Sequence, residues 1–417
     1  MQPKIYSFED HNISPDKIDP HAFYVIQKLR EKGFTAYLVG GSVRDLLMGQ
    51  VPKDFDISTS AKPEEIKAVF RNCILIGRRF RLAHVRFGKK ILEVATFRSG
   101  NIENSDLIVR DNDFGTEEQD VLRRDFTING LLYDPEKQVI LDYVGGYLDA
   151  KEKVLRTIGQ ATVRFKQDPV RMIRLIKFQA RFPLAIDKEA LCALTDCKKD
   201  IMLSSQARIF EELLRMLESG ASEAFFKGLH EQGLLELLLP KLANYFTKKE
   251  EASNQVLKLL QEIDTQNKEN TELLARPLLA ACLVYPLFEN HILSVKKEKH
   301  LHLGEIAENA KEIIEEIFLP FFHLSRRMKG TMVFVMTSQF RLSTLPSSPR
   351  RKLRIPRDQS FPMALHFFKI RAGLNADLVN TYELWKEEWE KRKSTFLFKK
   401  ETYASKRYPR KRNRRKK

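Results

Sequence analysis

Residues 38–59 read LVGGSVRDLLMGQVPKDFDIST, and this stretch decides the fold. The spacing predicts a strand ending at Gly40-Gly41 and a helix starting near Ser42-Val43. Two glycines let the backbone approach a phosphate closely, and the N–H groups and positive dipole end of the helix favour the anion. Arg44 falls one turn into that helix, where its fork can reach phosphate oxygens. Asp54 and Asp56 follow on a predicted strand over 54–59. Alternate strand residues share a face, so both carboxylates project together while Phe55 and Ile57 pack on the other side. Paired carboxylates repel, raise one another's pKa and are costly to desolvate. A hard dication removes that penalty, and carboxylate oxygens are what Mg²⁺ prefers. An isolated Asp-x-Asp at a strand start is ordinarily solvated; the Gly-Gly-helix-Arg element upstream favours a metal site.

Outward from this stretch, residues 20–155 read as mixed α/β. A helix over 20–31 precedes the first strand, and a short helix with Pro63 in its first turn follows DFDIST. CILIG (73–77), RLAHVRFG (81–88), ILEVATFR (91–98) and VILDYVGG (139–146) are further strands, rich in β-branched residues and bounded by turn formers. From about 160 onward apolar residues recur at helical spacing, as in VRMIRLIKFQARF and IFEELLRMLESG, with no competing strand alternation. LPSSPRRKLRIPRD (345–358) reads as a link between helices. The expected fold class is therefore α+β: a mixed-sheet N-terminal domain, an all-helical region, and a basic tail.

The 417 residues carry 72 Lys+Arg against 55 Asp+Glu, a formal net charge of +17. A 43% hydrophobic composition excludes global disorder, since such a chain can build sizeable cores. No apolar run approaches the roughly 20 residues that span a bilayer, and the opening MQPKIYSFEDHN has the pattern of neither a secretory signal nor a transit peptide. Four cysteines in so long a chain form no disulfide framework, which points to a reducing cytoplasm. Residues 401–417 hold nine Lys/Arg and one acid. Such a tail implies a polyanionic partner, nucleic acid first and anionic membrane second.

GGSVRD, eight residues and then DFD resemble the defining motif of the class II nucleotidyltransferases, the family of tRNA CCA-adding enzymes and bacterial poly(A) polymerases. The resemblance continues at RRDFTINGLLYD (123–134), DYVGGYLDAKEKVLRTIG (142–159) and DPVRMIRLIKFQARF (168–182), covering roughly residues 35–215. It implies a catalytic domain over 20–158, a nucleotide-binding neck over 159–218, an RNA-binding body over 219–400 and the tail over 401–417. It implies that Asp54 and Asp56 hold two Mg²⁺ ions that assist attack of an RNA 3′-hydroxyl on the α-phosphate of ATP. Asp125 and Glu93 are both candidates for a third carboxylate. Gly40, Gly41, Arg44, Arg124, Asp168, Arg171 and Arg174 match positions that bind the incoming nucleotide. Two departures touch base recognition: Gln167 stands where the family usually has Glu, and Lys177 where it usually has Arg. Lys keeps the charge but loses the fork.

Within the family, GRRFRLAHV (77–85) is similar to an element of the poly(A) polymerases, whereas CCA-adding enzymes normally differ there. Arg78, Arg79 and Arg81, with Phe80 and His84, set charge and aromatic surface beside the catalytic strands, as RNA binding requires. Arg410, Lys411, Arg412, Arg414 and Arg415 in the tail supply sequence-independent affinity for RNA. The expected activity is template-independent adenylyl transfer to RNA 3′ ends, by a cytoplasmic monomer without a membrane partner that works among RNA-decay proteins. CCA addition is the alternative within the family, and a non-catalytic RNA-binding protein on the same fold the alternative outside it. Trp385 and Trp389 at i, i+4 read as packing residues.

Overall fold

The computed structural model describes residues 2–77, 82–100, 113–248, 250–269, 274–297, 300–344 and 353–405. Two compact units emerge, Met1–Glu212 with Glu231–Leu237, and Leu213–His230 with Leu238–Lys417. The expected mixed-sheet domain followed by helices is the architecture observed.

The first unit is built on an eight-stranded sheet. Its strands are β1 (Lys4–Tyr6), β2 (Ala36–Val39), β3 (Asp56–Thr59), β4 (Cys73–Ile76), β5 (Leu82–Phe87), β6 (Lys90–Thr96), β7 (Leu131–Asp134) and β8 (Val139–Asp142). Their order is β1-β8-β7-β2-β3-β6-β5-β4. Every neighbouring pair is antiparallel except β3 and β6. The register pairs Val39, the last residue of β2, with Asp56, the first of β3. The glycine turn and the carboxylates therefore meet at one end of the sheet.

Alternation along the strands separates two faces. On one, Leu38, Ile57, Val85, Val94, Tyr133 and Ile140 form a large core with Ala22, Val25, Ile26 and Leu29 of the helix Pro20–Glu31. Those four helical positions make one apolar stripe, and each such buried aliphatic contributes about 1.5–3 kcal/mol. Asp19 starts that helix by accepting from the His21 and Ala22 amides at 2.8 and 3.2 Å, with Pro20 at the first position. On the other face a smaller cluster, Val39, Leu132 and Tyr143 with Val121 of the helix Glu117–Leu122, covers β2 and β7.

Several boundaries depart from the sequence expectation. β3 begins at Asp56, so Asp54 lies just before the strand; its side chain is nevertheless exposed, like Asp56, while Phe55 and Ile57 are buried. β1 and β7 carry no long alternation to announce them, and neither does the two-residue parallel pair Val154–Leu155 and Ala185–Ile186, whose second strand falls within the helical region.

The second unit is helical. Its helix Arg276–Lys296 is long and apolar enough, by length and composition alone, to cross a membrane, which corrects the expectation that no run approaches that length. Its apolar residues, including Leu278, Ala281, Val284, Tyr285 and Phe288, are buried within the unit. Trp385 is buried and donates its indole N–H to the Leu342 carbonyl, a packing role as expected.

Candidate active site

At the β2–β3 end of the sheet, Gly40 holds φ 68° and ψ −129° and caps the helix Gly41–Leu47. A side chain at Gly40 would strain that backbone, and its Cβ would lie 3.3 Å from Arg124 Nη1. Asp56 keeps contact with solvent, yet it sits in a recess dense enough that lost hydration is the leading cause of a raised carboxyl pKa. Repulsion from Glu93 adds to this, Arg124 opposes it and Asp54 adds a little more; together they push Asp56 up to about 6. Three carboxyl groups, of Asp54, Asp56 and Glu93, thus act at this end of the sheet, with Arg124 the opposing cation at Asp56.

Asp125 is placed differently. Its carboxylate lies 2.8 Å from Arg174 and accepts from the Asn129 amide at 3.1 Å and the Phe126 N–H at 2.8 Å. Burial alone would raise its pKa, but Arg174, Asn129, the Phe126 amide and Arg171 outweigh burial and hold it below the usual carboxylate range. Asn129 also accepts from Arg44 at 2.7 Å. Arg44 is almost fully buried, forked onto Asp45 and stacked over Phe178 and Phe182. It ties the glycine helix to the helix Val170–Arg181.

Arg124 donates to Asp120 at 2.8 Å and to Ser58 at 3.3 Å, which holds it beside β3. Arg164, 1% exposed, fixes the backbone of this segment by donating to the Arg123 and Arg124 carbonyls at 2.8 and 2.6 Å. Arg171 donates to the Arg164 and Arg123 carbonyls at 3.0 and 3.2 Å, while Lys177 pairs with Glu212 at 2.7 Å. The cationic face expected on the helix over 168–182 is therefore engaged by protein acceptors at all three positions. Asp168 accepts from Arg208 at 2.8 Å through one oxygen, and its other oxygen is buried without a hydrogen-bond partner. Gln167 accepts from Arg164 at 2.9 Å.

The structure thus gathers Gly40, Asp54, Asp56, Glu93 and Arg124 at one end of the sheet and links Asp125, Arg44, Arg171 and Arg174 as a scaffold beside them. Arg78, Arg79, Arg81 and the tail residues Arg410, Lys411, Arg412, Arg414 and Arg415 lie outside the described residues. Asp120, Asn129 and Arg164 were not singled out from sequence. Asp120, four residues before Arg124 on a helix end, was the recoverable signal.

Among the described residues no three His, Cys, Asp or Glu side chains form a ready metal cage. Mg²⁺ does not require one: it binds through one or two carboxylates and completes its shell with water and substrate phosphates. The exposed, closely spaced carboxylates of Asp54 and Asp56 fit such a partly open site.

The sheet, its glycine turn and its paired carboxylates define a nucleotidyltransferase head domain. The profile of the Poly A polymerase head domain matches residues 36–156, and that of the probable RNA and SrmB-binding site of polymerase A matches 183–246. Poly(A) polymerase I of Haemophilus influenzae is 34% identical over 393 residues, covering 91% of this chain and 86% of its own. A CCA-adding enzyme of Staphylococcus aureus is also 34% identical, but over 210 residues, about half of each chain. The fold resembles the crystal structure of the Bacillus stearothermophilus CCA-adding enzyme in complex with CTP, with a TM-score of 0.62 at 23% identity, covering 89% of this chain and 83% of that one. The chain belongs to the poly(A) polymerase family.

Proposed function

We propose that this protein adds AMP from ATP to RNA 3′ ends without a template, releasing pyrophosphate, in the cytoplasm. The likeness to poly(A) polymerases along nearly the whole chain supports this over CCA addition, whose enzymes it matches over about half. The observation that carries the chemistry is the strand register, which pairs Asp56 with Val39 beside the Gly40 turn and sets Glu93 next to it on the neighbouring strand. Two Mg²⁺ ions bound at Asp54 and Asp56 would neutralise this charge and supply Lewis acidity for in-line attack of the 3′-hydroxyl on the α-phosphate.

The chain's own residues do the rest. Gly40 and Gly41 let the triphosphate approach the helix N-terminus, and Arg124, fixed by Asp120 and Ser58, meets the developing charge. Glu93 serves as the third carboxylate, because it acts electrostatically on Asp56 whereas Asp125 is committed to Arg174. The unpartnered oxygen of Asp168 takes part in reading the base edge, and Arg171 acts in nucleotide binding by holding that segment through the Arg164 and Arg123 carbonyls. We assign catalysis to 20–158, the neck to 159–218, the RNA-binding body to 219–400, and non-specific RNA affinity to Arg78, Arg79, Arg81 and the tail.

Incubating a short RNA and Mg²⁺ with each nucleoside triphosphate separately tests the reading. Long A tracts from ATP alone are expected, abolished in Asp56→Asn. Ordered C-C-A addition to a tRNA lacking its terminus would overturn it in favour of the alternative.

A further inference from the structure

Arg44 and Asp125 carry opposite charge, both are almost fully buried, and both reach the same side chain. Arg44 Nη1 donates to Asn129 Oδ1 at 2.7 Å, and Asn129 Nδ2 donates to Asp125 Oδ1 at 3.1 Å. Each charge has its ion pair elsewhere, Arg44 with Asp45 at 2.7 Å and Asp125 with Arg174 at 2.8 Å. A guanidinium only donates and a carboxylate only accepts. An amide is the neutral group that satisfies both, one through its oxygen and the other through its nitrogen, and this fixes which way Asn129 points. Opposite charges attract strongly where water is scarce, so a buried cation and anion this near would close on one another with nothing between them. The amide is a spacer.

The turn that carries Asn129 is held independently of its side chain. It spans Thr127–Asn129, with Thr127 Oγ1 donating to Asp149 at 2.7 Å and the Thr127 N–H to the Arg156 carbonyl at 3.0 Å. At Gly130, which follows, a Cβ would lie 2.9 Å from Val144 Cγ2 and 3.1 Å from Ile158 Cδ1, so the turn packs closely on its neighbours. From this fixed point Asn129 reaches two parts of the site. Its backbone carbonyl accepts from Arg124 Nη1 at 3.4 Å. Through Arg44 its amide reaches the glycine turn, because Arg44 Nη2 lies 3.5 Å from where a Gly41 Cβ would stand.

We infer that Asn129 is the positioning residue of the triphosphate site, its amide parting Arg44 from Asp125 so that the Gly40-Gly41 turn and Arg124 stay in register for the phosphates. The inference rests on the proposed activity and deepens it. Asn129 touches no phosphate itself; it acts through Arg44 on the glycine helix and through its own carbonyl on Arg124. Without the amide, Arg44 swings onto the freed Asp125 Oδ1, and the support it gives the glycine turn goes with it. Asp125 keeps Arg174 through its other oxygen. The adenosine end of the nucleotide and the RNA are therefore served by groups that this amide does not hold.

The test uses the full-length protein with Asn129→Ala and Asn129→Asp. Magnesium tripolyphosphate and adenosine are titrated separately as inhibitors of tailing, and thermal unfolding without RNA reads the same two affinities independently of catalysis. In Asn129→Ala, tripolyphosphate should bind about tenfold more weakly and KM for ATP should rise in parallel, with adenosine affinity and KM for RNA within about two-fold. A role confined to holding the fold would lower kcat with the folded fraction and move neither KM for ATP nor tripolyphosphate affinity; that result overturns the inference, and so does an equal loss of adenosine affinity. Asn129→Asp serves if the alanine variant does not fold. It keeps an oxygen for Arg44 but sets a second carboxylate against Asp125, so its tripolyphosphate affinity relative to wild type should be low near about pH 8 and recover several-fold near about pH 6, where a shared proton restores the donor. A ratio independent of pH overturns the spacer role. A wild-type protein that binds tripolyphosphate, with these losses in the variants, but never tails RNA would overturn the proposed activity and leave this inference standing.

Discussion

The Asp125 carboxylate stands 2.8 Å from the Arg174 guanidinium, which joins the segment after the helix Glu117–Leu122 to the helix Val170–Arg181. A carboxylate so engaged is a structural tie. Asp125→Asn should lower stability by about 2 kcal/mol, measured by chemical unfolding, because Arg174 loses its nearest carboxylate and is left with Glu212 at 4.0 Å. Glu93→Gln, at an exposed site, should change stability by no more than about 0.5 kcal/mol and reduce kcat about a hundredfold or more. The opposite pattern would exchange the two assignments.

Asp56 gives a pH signature. Its folded-state pKa of about 6 lies above the ordinary 3.8, so the metal-free protein keeps its proton longer than the unfolded chain. Stability from this group is therefore full below about pH 4 and declines as pH rises through about 6. Asp56→Asn should remove the decline: equal to wild type near pH 4, and more stable above pH 6 by up to about 1 kcal/mol, since solvent contact screens the effect. Thermal unfolding with and without Mg²⁺ checks this, and the metal should stabilise wild type alone.

The layout of this end of the sheet was legible in sequence because it depends on local arrangement. Gly40-Gly41 and Asp54-Phe55-Asp56 lie on neighbouring strands close in the chain, and alternation alone places the two acids together. The different surroundings of Glu93 and Asp125 were not legible, because they depend on β3 pairing parallel with β6 and on Arg174 reaching Asp125 from 49 residues away. Arg44 shows a further limit. Its position in the glycine helix gave no sign of the contacts the fold provides with Asp45, Asn129, Phe178 and Phe182. The helix Arg276–Lys296 errs in the other direction, since only the packing of neighbouring helices separates a core helix from a membrane span.

Gln167, the departure in the nucleotide-binding motif, faces Arg164 at 2.9 Å and is 1% exposed. Its amide orients the guanidinium that holds the Arg123 and Arg124 carbonyls. Gln167→Glu should preserve this contact with added charge, changing stability by about 1 kcal/mol or less, because the stronger bond is offset by desolvation. Discrimination between ATP and CTP should stay within about two-fold, measured by competitive incorporation. A tenfold change would mean that residue 167 touches the base.

The two glycines of the turn should separate under alanine substitution. Gly40→Ala forces a side chain into φ 68° and brings its Cβ within 3.3 Å of Arg124 Nη1, so about 1–3 kcal/mol of stability should be lost along with activity. Gly41 is the first residue of its helix, and its added Cβ would meet Arg44 Nη2 at an ordinary 3.5 Å. Gly41→Ala should therefore fold at least as stably as wild type, gaining up to about 1 kcal/mol from reduced unfolded-state entropy. If the triphosphate lies against this backbone, the methyl group occupies its path, and KM for ATP should rise about tenfold while RNA binding is unchanged. Thermal unfolding and tailing kinetics on the same preparation decide the matter. An unaltered KM for ATP in Gly41→Ala would move the phosphates away from the helix N-terminus and leave Arg124 as their principal contact.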